Sequence, residues 1–376
     1  MHANISLQSE STGEKLKALI LAGGFGTRLR PLSCTRPKSL FPILNKPLLQ
    51  WTFERLARNG IKEVVLAVNK QTELLIKQQR IRKCGLRVIY SLDPPKMPLG
   101  TGGPIKKAEK LIGHDSPFLV LNGDIFADVN YTELLKDHDE NKAVATIALH
   151  EVEDPSRFGV AELDGKRIKR FIEKPRKEEA PTNLINAGVY VLSPKIFDYI
   201  PSGRMVSLER ETFPKLAEEG KLYSYIFNGL WSDVGRPEDY MEINKVLLDS
   251  LQNKREHKVT GKREIREPVA IDKGVLIGEE SIVGPNAILG RNVKVGRNVQ
   301  IQNAIIFPET TILDYASINN AIIGERVVIG RKAKIGGGCI LADGVKVRDE
   351  VSLVKGVSVC PLKEVSSDTA TCECII

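Results

Sequence analysis

A chain of 376 residues has room for two or three domains, and 42% apolar with 27% charged residues is the composition of an ordinary globular protein. The net charge of +8 is scattered, with no run of five basic residues and no basic-plus-aromatic motif, which speaks against nucleic acid and leaves small anions as partners. No apolar run approaches the ~20 residues of a membrane span, and six cysteines without paired or zinc-type spacing fit a reducing cytosol.

Residues 1–14 are polar, lack the apolar core of a signal peptide, and read as a disordered lead-in. Ala18 to Ala22 then forms an apolar run long enough for one buried strand. It breaks into Gly23, Gly24 and Gly26, followed by Arg28, Arg30, Arg36 and Lys38. Glycines let a backbone approach a ligand, and clustered cations neutralise phosphate charge. A P-loop is excluded because no Lys follows the last Gly, and a dinucleotide turn because Leu29 occupies its third glycine position. The glycines alone read equally well as a turn with a solvated basic face.

Pro47 suits the first turn of a helix whose apolar stripe is Leu48, Phe53, Leu56 and Ala57, with Gly60 ending it. Val64–Val68 reads as a second strand, residues 72–83 as a helix, and Leu86–Tyr90 as a third strand. This alternation predicts a parallel sheet with helices on both faces. Pro98-Leu99-Gly100-Thr101-Gly102-Gly103-Pro104 leads into a helix to about Ile112. It reads either as a capping loop or as a loop against a flat base. Phe118–Leu121 is a strand with Asn122-Gly123-Asp124 at its carboxyl end, where open α/β sheets bind ligands. Asp124 stands there either as a turn residue or as a carboxylate for a divalent cation.

Residues 143–149 form a further strand, and Gly159-Val160 opens a pair around Asp164-Gly165 that ends in Glu173-Lys174-Pro175. Those two charges read as a solvated edge or as a grip on sugar hydroxyls. Asn186 to Leu192 is a strand in which Gly188 permits close approach. Trp231-Ser232-Asp233 precedes a helix over 238–251, and Asp233 is a second candidate metal carboxylate.

The charged stretch 252–264 reads as a linker. Beyond it apolar residues recur every six positions, from Ile265 through Ile271, Ile277 and Val283 to Leu313, and in a second phase from Ile323 to Val359. A six-residue period is the mark of a parallel β-helix, and these hexads make about five coils. The change of phase near residues 314–322 implies a small insertion or loop. Hexapeptide helices also belong to acyltransferases, but none of the five histidines lies in residues 265–376. Cys372 and Cys374 alone are a weak metal signal.

The string Gly23 to Lys38, the Pro-Leu-Gly-Thr-Gly-Gly-Pro loop, Asn122-Gly123-Asp124, Phe171 to Pro175, Ile185 to Leu192 and Trp231 to Gly235 together resemble the sugar-1-phosphate nucleotidylyltransferases. The likeness is to their mannose-1-phosphate guanylyltransferase branch and extends over almost the full length. It implies a Rossmann-like α/β catalytic domain over residues 15–251 and a left-handed parallel β-helix over 265–376. It implies Arg28 and Lys38 on the triphosphate, and Asp124 and Asp233 on Mg²⁺. Leu21, Ala22, Gly23, Gly24, Gly26, Thr27, Arg28, Gly100 and Thr101 would face the nucleotide. Asn122, Gly159, Glu173, Lys174 and Asn186 would face the sugar phosphate. The resemblance implies GTP and mannose 1-phosphate as substrates, and the β-helix points to a homo-oligomer. Thymidylyl- and uridylyltransferases share the first signature, and a regulatory nucleotide-sugar-binding subunit is a further reading. Against the latter stand the intact Arg28, Lys38, Asp124 and Asp233. The family pattern is broken by the Pro94-Pro95-Lys96-Met97 segment.

Overall fold

A computed structural model of the chain describes residues 16–24, 26–94, 98–251, 263–354, 356–369 and 374–375. The polar lead-in, most of the linker, the Pro95–Met97 segment and Cys372 lie outside the described residues. The chain falls into two compact units. One holds the residues up to Gly23 together with Thr52–Trp231, and the other holds Gly24–Trp51 together with Ser232–Ile376.

The first unit is built on one nine-stranded sheet. Its strands are β1 (Lys17–Leu21), β2 (Glu63–Val68), β3 (Arg87–Leu92), β4 (Phe118–Asn122), β5 (Ala145–Glu151), β6 (Gly159–Asp164), β7 (Arg167–Glu173), β8 (Leu184–Leu192) and β9 (Leu222–Ile226). They lie in the order β3-β2-β1-β4-β8-β5-β9-β7-β6. The first four are parallel, as the sequence alternation predicts. Ala18, Leu19, Ile20 and Val64 through Val68 are all but inaccessible, the mark of strands covered on both faces. The expectation of a parallel sheet fails at two strands, β7 and β8, while β9 pairs parallel with β5. Strand β8 runs antiparallel to both β4 and β5, and β6–β7 is a hairpin.

Helix α1 (Leu48–Arg58) forms where Pro47 and Gly60 bound it. Helix α2 (Lys70–Gln78) is capped by Asn69, whose Oδ1 accepts from Thr72 N at 2.8 Å. It ends earlier than its apolar pattern implies, because Arg80 and Cys84 take left-handed backbone angles. Helix α3 (Tyr131–Glu140) buries His138 against Thr146 and Ser193.

In the second unit, residues 264–375 wind into stacked parallel β-coils. On one face six strands stack from Leu276–Ile277 to Glu364–Val365, one coil more than the hexad count. Val283, Ile301, Ile318, Ile335 and Leu353 stack in register along the interior, each no more than 2% exposed. Near 314–322 the sequence predicts a small insertion or loop, and the structure has shortened coils. Leu276 pairs with Lys294 eighteen residues on, but Lys294 pairs with Thr311 after seventeen. The strands Gln300–Ile306 and Ser317–Ile323 run straight through a corner that other coils turn with an extra residue. Asn303 and Asn320 make that corner with left-handed angles. The interior phase therefore steps early, and Ile306 and Ile312 fill the core in place of Phe307 and Leu313.

Phe307 is thereby freed to face outward, where the segment 24–51 and helix α4 (Pro237–Leu251) cover it. Phe41, fully buried, meets Tyr240 edge-on at 5.5 Å and Phe307 at 6.2 Å. Such contacts add roughly 0.5–1.5 kcal/mol each beyond burial. Tyr240 donates to Pro42 O at 2.5 Å, and Asn244 accepts from Leu44 N at 2.9 Å. Residues 24–51 and α4 thus share a core with the β-helix, and the packing boundary does not coincide with the 252–264 linker.

His138 supplies a test of the first unit's core. Its ring nitrogens lie 2.9 Å from Thr146 Oγ1 and 2.9 Å from Ser193 Oγ. Burial pushes its pKa down to about 4. The unfolded chain takes up this proton near the ordinary value and the folded chain does not, so stability is intact above that value and lost as pH falls toward 4. This one group should cost ~3 kcal/mol across that window. Urea unfolding of the parent and of His138→Gln between pH 7 and 4 should give a shallower loss in the variant. Parallel curves would contradict the buried neutral imidazole.

Candidate active site

The carboxyl ends of β1, β2, β3 and β4 lie side by side, and the chain segments leaving them meet there. Ala22 N donates to Ala67 O at 2.9 Å, and Gly123 N donates to Leu21 O at 2.8 Å. The Asn122–Asp124 turn therefore lies directly on the Leu21–Ala22 backbone. A Cβ at Gly123 would come within 2.9 Å of both Leu21 O and Ala22 Cβ, so only glycine fits. Leu21, Ala22, Gly23, Asn122 and Asp124 are thus brought together in the first unit, as their expected roles require.

Two residues at this edge carry no sequence motif. Asn69, besides capping α2, donates from Nδ2 to Gly23 O at 3.3 Å. Asp93 follows β3 with its carboxylate against Gly23, where a Cβ would meet Oδ2 at 2.7 Å. Its Oδ1 is buried and has no hydrogen-bond partner among the described residues. Burial raises its pKa, with nearby Lys107 opposing. A buried acceptor without a partner, facing a glycine turn, is a place for a ligand's donors. Only the strand-end position of Asp93 signalled it in the sequence.

The 98–103 loop is tied to residues 205–209. Gly102 N donates to Val206 O at 2.9 Å, and Val206 N donates to Leu99 O at 3.0 Å. At Gly100, φ is +69° and a Cβ would stand 2.3 Å from Val206 O. Thr101 donates its hydroxyl to Glu209 at 2.6 Å and accepts from Leu208 N at 2.9 Å. Its side chain therefore shapes the loop, and Glu209 is a partner the motif did not announce.

The expected sugar-phosphate residues also gather. In β8 the pairing with β5 slips between Asn186 and Tyr190, a bulge that re-aims the side chains around Gly188. Asn186 donates to Tyr190 Oη at 3.0 Å and accepts from Gly188 N at 2.9 Å. The Asn122 amide lies against Gly188. Burial first, then the carboxylates of Glu209 and Glu173, hold the Tyr190 phenol well above its ordinary pKa, while the Asn186 and Asn122 amides oppose this. Gly159 pairs with Glu173 across the hairpin, and Lys174 Nζ stands 3.2 Å from Glu173 Oε1. Lys174 holds a left-handed φ of 53°. Beside them Trp231 donates to Ala187 O at 3.0 Å, and Phe158 meets its ring edge-on at 5.1 Å. Sequence reading missed this aromatic wall because aromatic residues so far apart along the chain carry no spacing signal.

Gly24, Gly26, Thr27, Arg28 and Lys38 belong to the second unit, as does Asp233. Arg28 Nη2 lies 3.9 Å from Asp233 Oδ2. Asp124 and Asp233 each follow or end a strand and offer hard carboxylate oxygens, the donor type a divalent cation of the magnesium class takes. Among the described residues no three His, Cys, Asp or Glu side chains gather as a protein-only metal cage. Either carboxylate by its chemistry suits an ion that takes most of its shell from substrate phosphate and water. No helix of the described residues is long and apolar enough to cross a membrane.

Residues 17–250 match the nucleotidyl transferase family, and residues 265–375 match the GMPPB C-terminal domain. A mannose-1-phosphate guanyltransferase of Yarrowia lipolytica is 40% identical over 96% of this chain and 100% of its own. Mannose-1-phosphate guanylyltransferase 1 of Arabidopsis thaliana is 36% identical over 94% of this chain and 98% of its own. Among solved structures, HddC from Yersinia pseudotuberculosis complexed with GMP-PN is 30% identical with a TM-score of 0.53, covering 62% of this chain and 99% of that one. A UDP-glucose pyrophosphorylase complexed with UDP-glucose is 26% identical with a TM-score of 0.55, covering 63% and 100%.

Proposed function

The chain belongs to the nucleotidyl transferase family, and from that premise we propose that it transfers GMP from GTP to mannose 1-phosphate, releasing pyrophosphate and forming GDP-mannose. Enzymes of this family join a nucleoside triphosphate to a sugar 1-phosphate and generally use a divalent metal. The choice of sugar rests on the curated relatives, which carry that name over most of the chain. The choice of base has one structural observation behind it, the buried Asp93 carboxylate beside Gly23. Guanine presents two adjacent donors, N1–H and N2–H, to such a group. Uracil and thymine present a single N–H between two carbonyl oxygens, which a carboxylate repels.

The chemistry follows from charge. An oxygen of the sugar 1-phosphate attacks the α-phosphorus of GTP in line, forming the new P–O bond as the bond to pyrophosphate breaks. Both reactants are anions, so repulsion dominates the barrier. Arg28 and Lys38 offset it on the triphosphate, and Asp124 and Asp233 would hold Mg²⁺, which neutralises the phosphates. The attacking oxygen is already ionised, so no protein nucleophile is required. Asn122, Asn186, Glu173 and Lys174 hold the sugar phosphate in line, with Gly159 giving the sugar room and the bulge at Gly188 setting their directions. Leu21, Ala22, Gly23 and Gly24 offer backbone to the nucleoside.

A reducing, cytoplasmic setting suits the thiols Cys34, Cys84, Cys339, Cys360 and Cys374, none of which is in a disulfide. The β-helix also leaves Leu276 at 63% and Leu362 at 83% exposed. That supports a homo-oligomer assembled through its coils.

Three measurements test these readings. Asp124→Asn should keep the fold and lower turnover in saturating Mg²⁺ by several orders of magnitude; turnover equal to the parent's would remove Asp124 from the metal site. Asp93→Asn should lower kcat/KM for GTP by ~10–100-fold, the loss of a charged hydrogen bond, with little change for UTP. An equal fall for both nucleotides would overturn the base assignment. Light scattering of Leu276→Glu/Leu362→Glu should show fewer subunits than the parent, and an unchanged count would rule out those coils as the assembly surface.

A further inference from the structure

The loop that carries Arg28 and Lys38 contains only three short 3₁₀ turns, Thr27–Leu29, Leu32–Cys34 and Lys38–Leu40. Turns this short satisfy few of their own backbone groups, so side chains must hold the loop in place. Part of that hold is local: Ser33 donates its hydroxyl to Gly26 O at 2.7 Å, and Leu29, Leu32 and Leu40 are buried.

The other part comes from nearly three hundred residues further along the chain. Arg36 is 8% exposed, an uncommon state for a guanidinium. Its Nη2 bonds Glu325 and stands 3.6 Å from Asp343 Oδ2, and its plane lies 4.9 Å from the centre of the Phe307 ring. The adjacent Thr35 donates its hydroxyl to the same Asp343 oxygen at 2.7 Å. Asp343 is itself fixed, because its Oδ1 accepts from Glu325 N at 2.7 Å. The two carboxylates sit on successive β-helix coils and present one preset socket.

A buried ion pair is a poor source of stability, since desolvation offsets most of its attraction and apolar replacements are often as stable. What a guanidinium between two carboxylates supplies is direction, through a rigid fork that accepts few geometries. Arg36 stands two residues before Lys38 in the chain. We propose that Arg36, seated on Asp343 and Glu325, is a positioning residue through which the β-helix sets the Arg28–Lys38 loop for phosphoryl transfer. The proposal rests on the reading that this loop receives the triphosphate. It makes the C-terminal coils part of the catalytic apparatus, beyond any role in assembly.

The test uses the full chain with Arg36→Met, Asp343→Asn and the double variant, each measured for kcat, both KM values and thermal midpoint. The single variants should lower kcat ~10–100-fold, the effect of misplacing reacting groups by about 1 Å. KM for the sugar 1-phosphate should stay within about two-fold, because Asn122, Glu173 and Asn186 belong to the other unit. Adding Asp343→Asn to Arg36→Met neutralises one of the two carboxylates that have lost their guanidinium. The double variant should therefore recover thermal midpoint relative to Arg36→Met while kcat stays low. If kcat returns with the midpoint, or never falls, Arg36 is only a structural anchor and the proposal is overturned. Should Arg36→Met fail to fold, Asp343→Asn alone decides between the same outcomes. Lys38→Ala, measured beside them, keeps the two readings apart. Lost turnover there with unaffected Arg36 and Asp343 variants overturns the positioning role alone, whereas parental turnover in Lys38→Ala overturns the assignment of the loop and the proposal with it.

Discussion

One residue missing from a coil governs the second unit. Because the coils at Gln300–Ile306 and Ser317–Ile323 are each a residue short, the inward phase moves from Phe307 to Ile306. Phe307 then becomes an outward aromatic platform, and Phe41, Tyr240 and Arg36 all converge on it. The segment that bears Arg28 and Lys38 has no sheet of its own beyond the two-residue pairing of Pro42–Ile43 with Lys46–Pro47. Its seat is this ring and the two carboxylates near it. A parallel β-helix stacks rigidly coil upon coil, so a platform on its side is a firm base for a loop that must meet phosphate with little give.

This seating divides the labour within the opening signature. Gly23 closes the first unit and Gly24 begins the second. Gly23, before that point, belongs with the strand ends beside Asp93 and Asn122. The cations after it belong to the loop held by the coils. A reaction between two polyanions needs both a shaped cradle for nucleoside and sugar and a fixed set of positive charges. The chain crosses between its units inside that motif.

Much of this was legible from residue order. Strand runs such as Val64–Val68 and Phe118–Leu121 are apolar throughout, and the six-residue period of the tail has no competing explanation. The Asn122-Gly123-Asp124 turn and the Gly100 loop were legible because glycine is required where Cβ has no room. Less visible were features made by tertiary pairing. The reversal of β8 is set by which strands it lies between, and the apolar content of β8 is the same in either direction. The shortened coils look like a slipped period, which reads equally as insertion or deletion until the ladder is seen. Asp93 and Glu209 carry no motif, since their meaning lies in what stands across from them. Arg36 looked like one more cation for phosphate, and its burial against Glu325 and Asp343 gives it other work.

The central claim is that this chain joins GMP to mannose 1-phosphate in a cradle whose base edge is set by Asp93. The most direct measurement is a competition in one tube. The full-length protein would be given equimolar ATP, GTP, CTP, UTP and dTTP with equimolar mannose and glucose 1-phosphates and Mg²⁺, and the nucleotide sugars resolved by mass. The account predicts a guanosine diphosphate hexose as the dominant early product, formed from mannose 1-phosphate when each sugar is then supplied alone, with one pyrophosphate released per product. A dominant uridine or thymidine product, or pyrophosphate released without any nucleotide sugar, would contradict it.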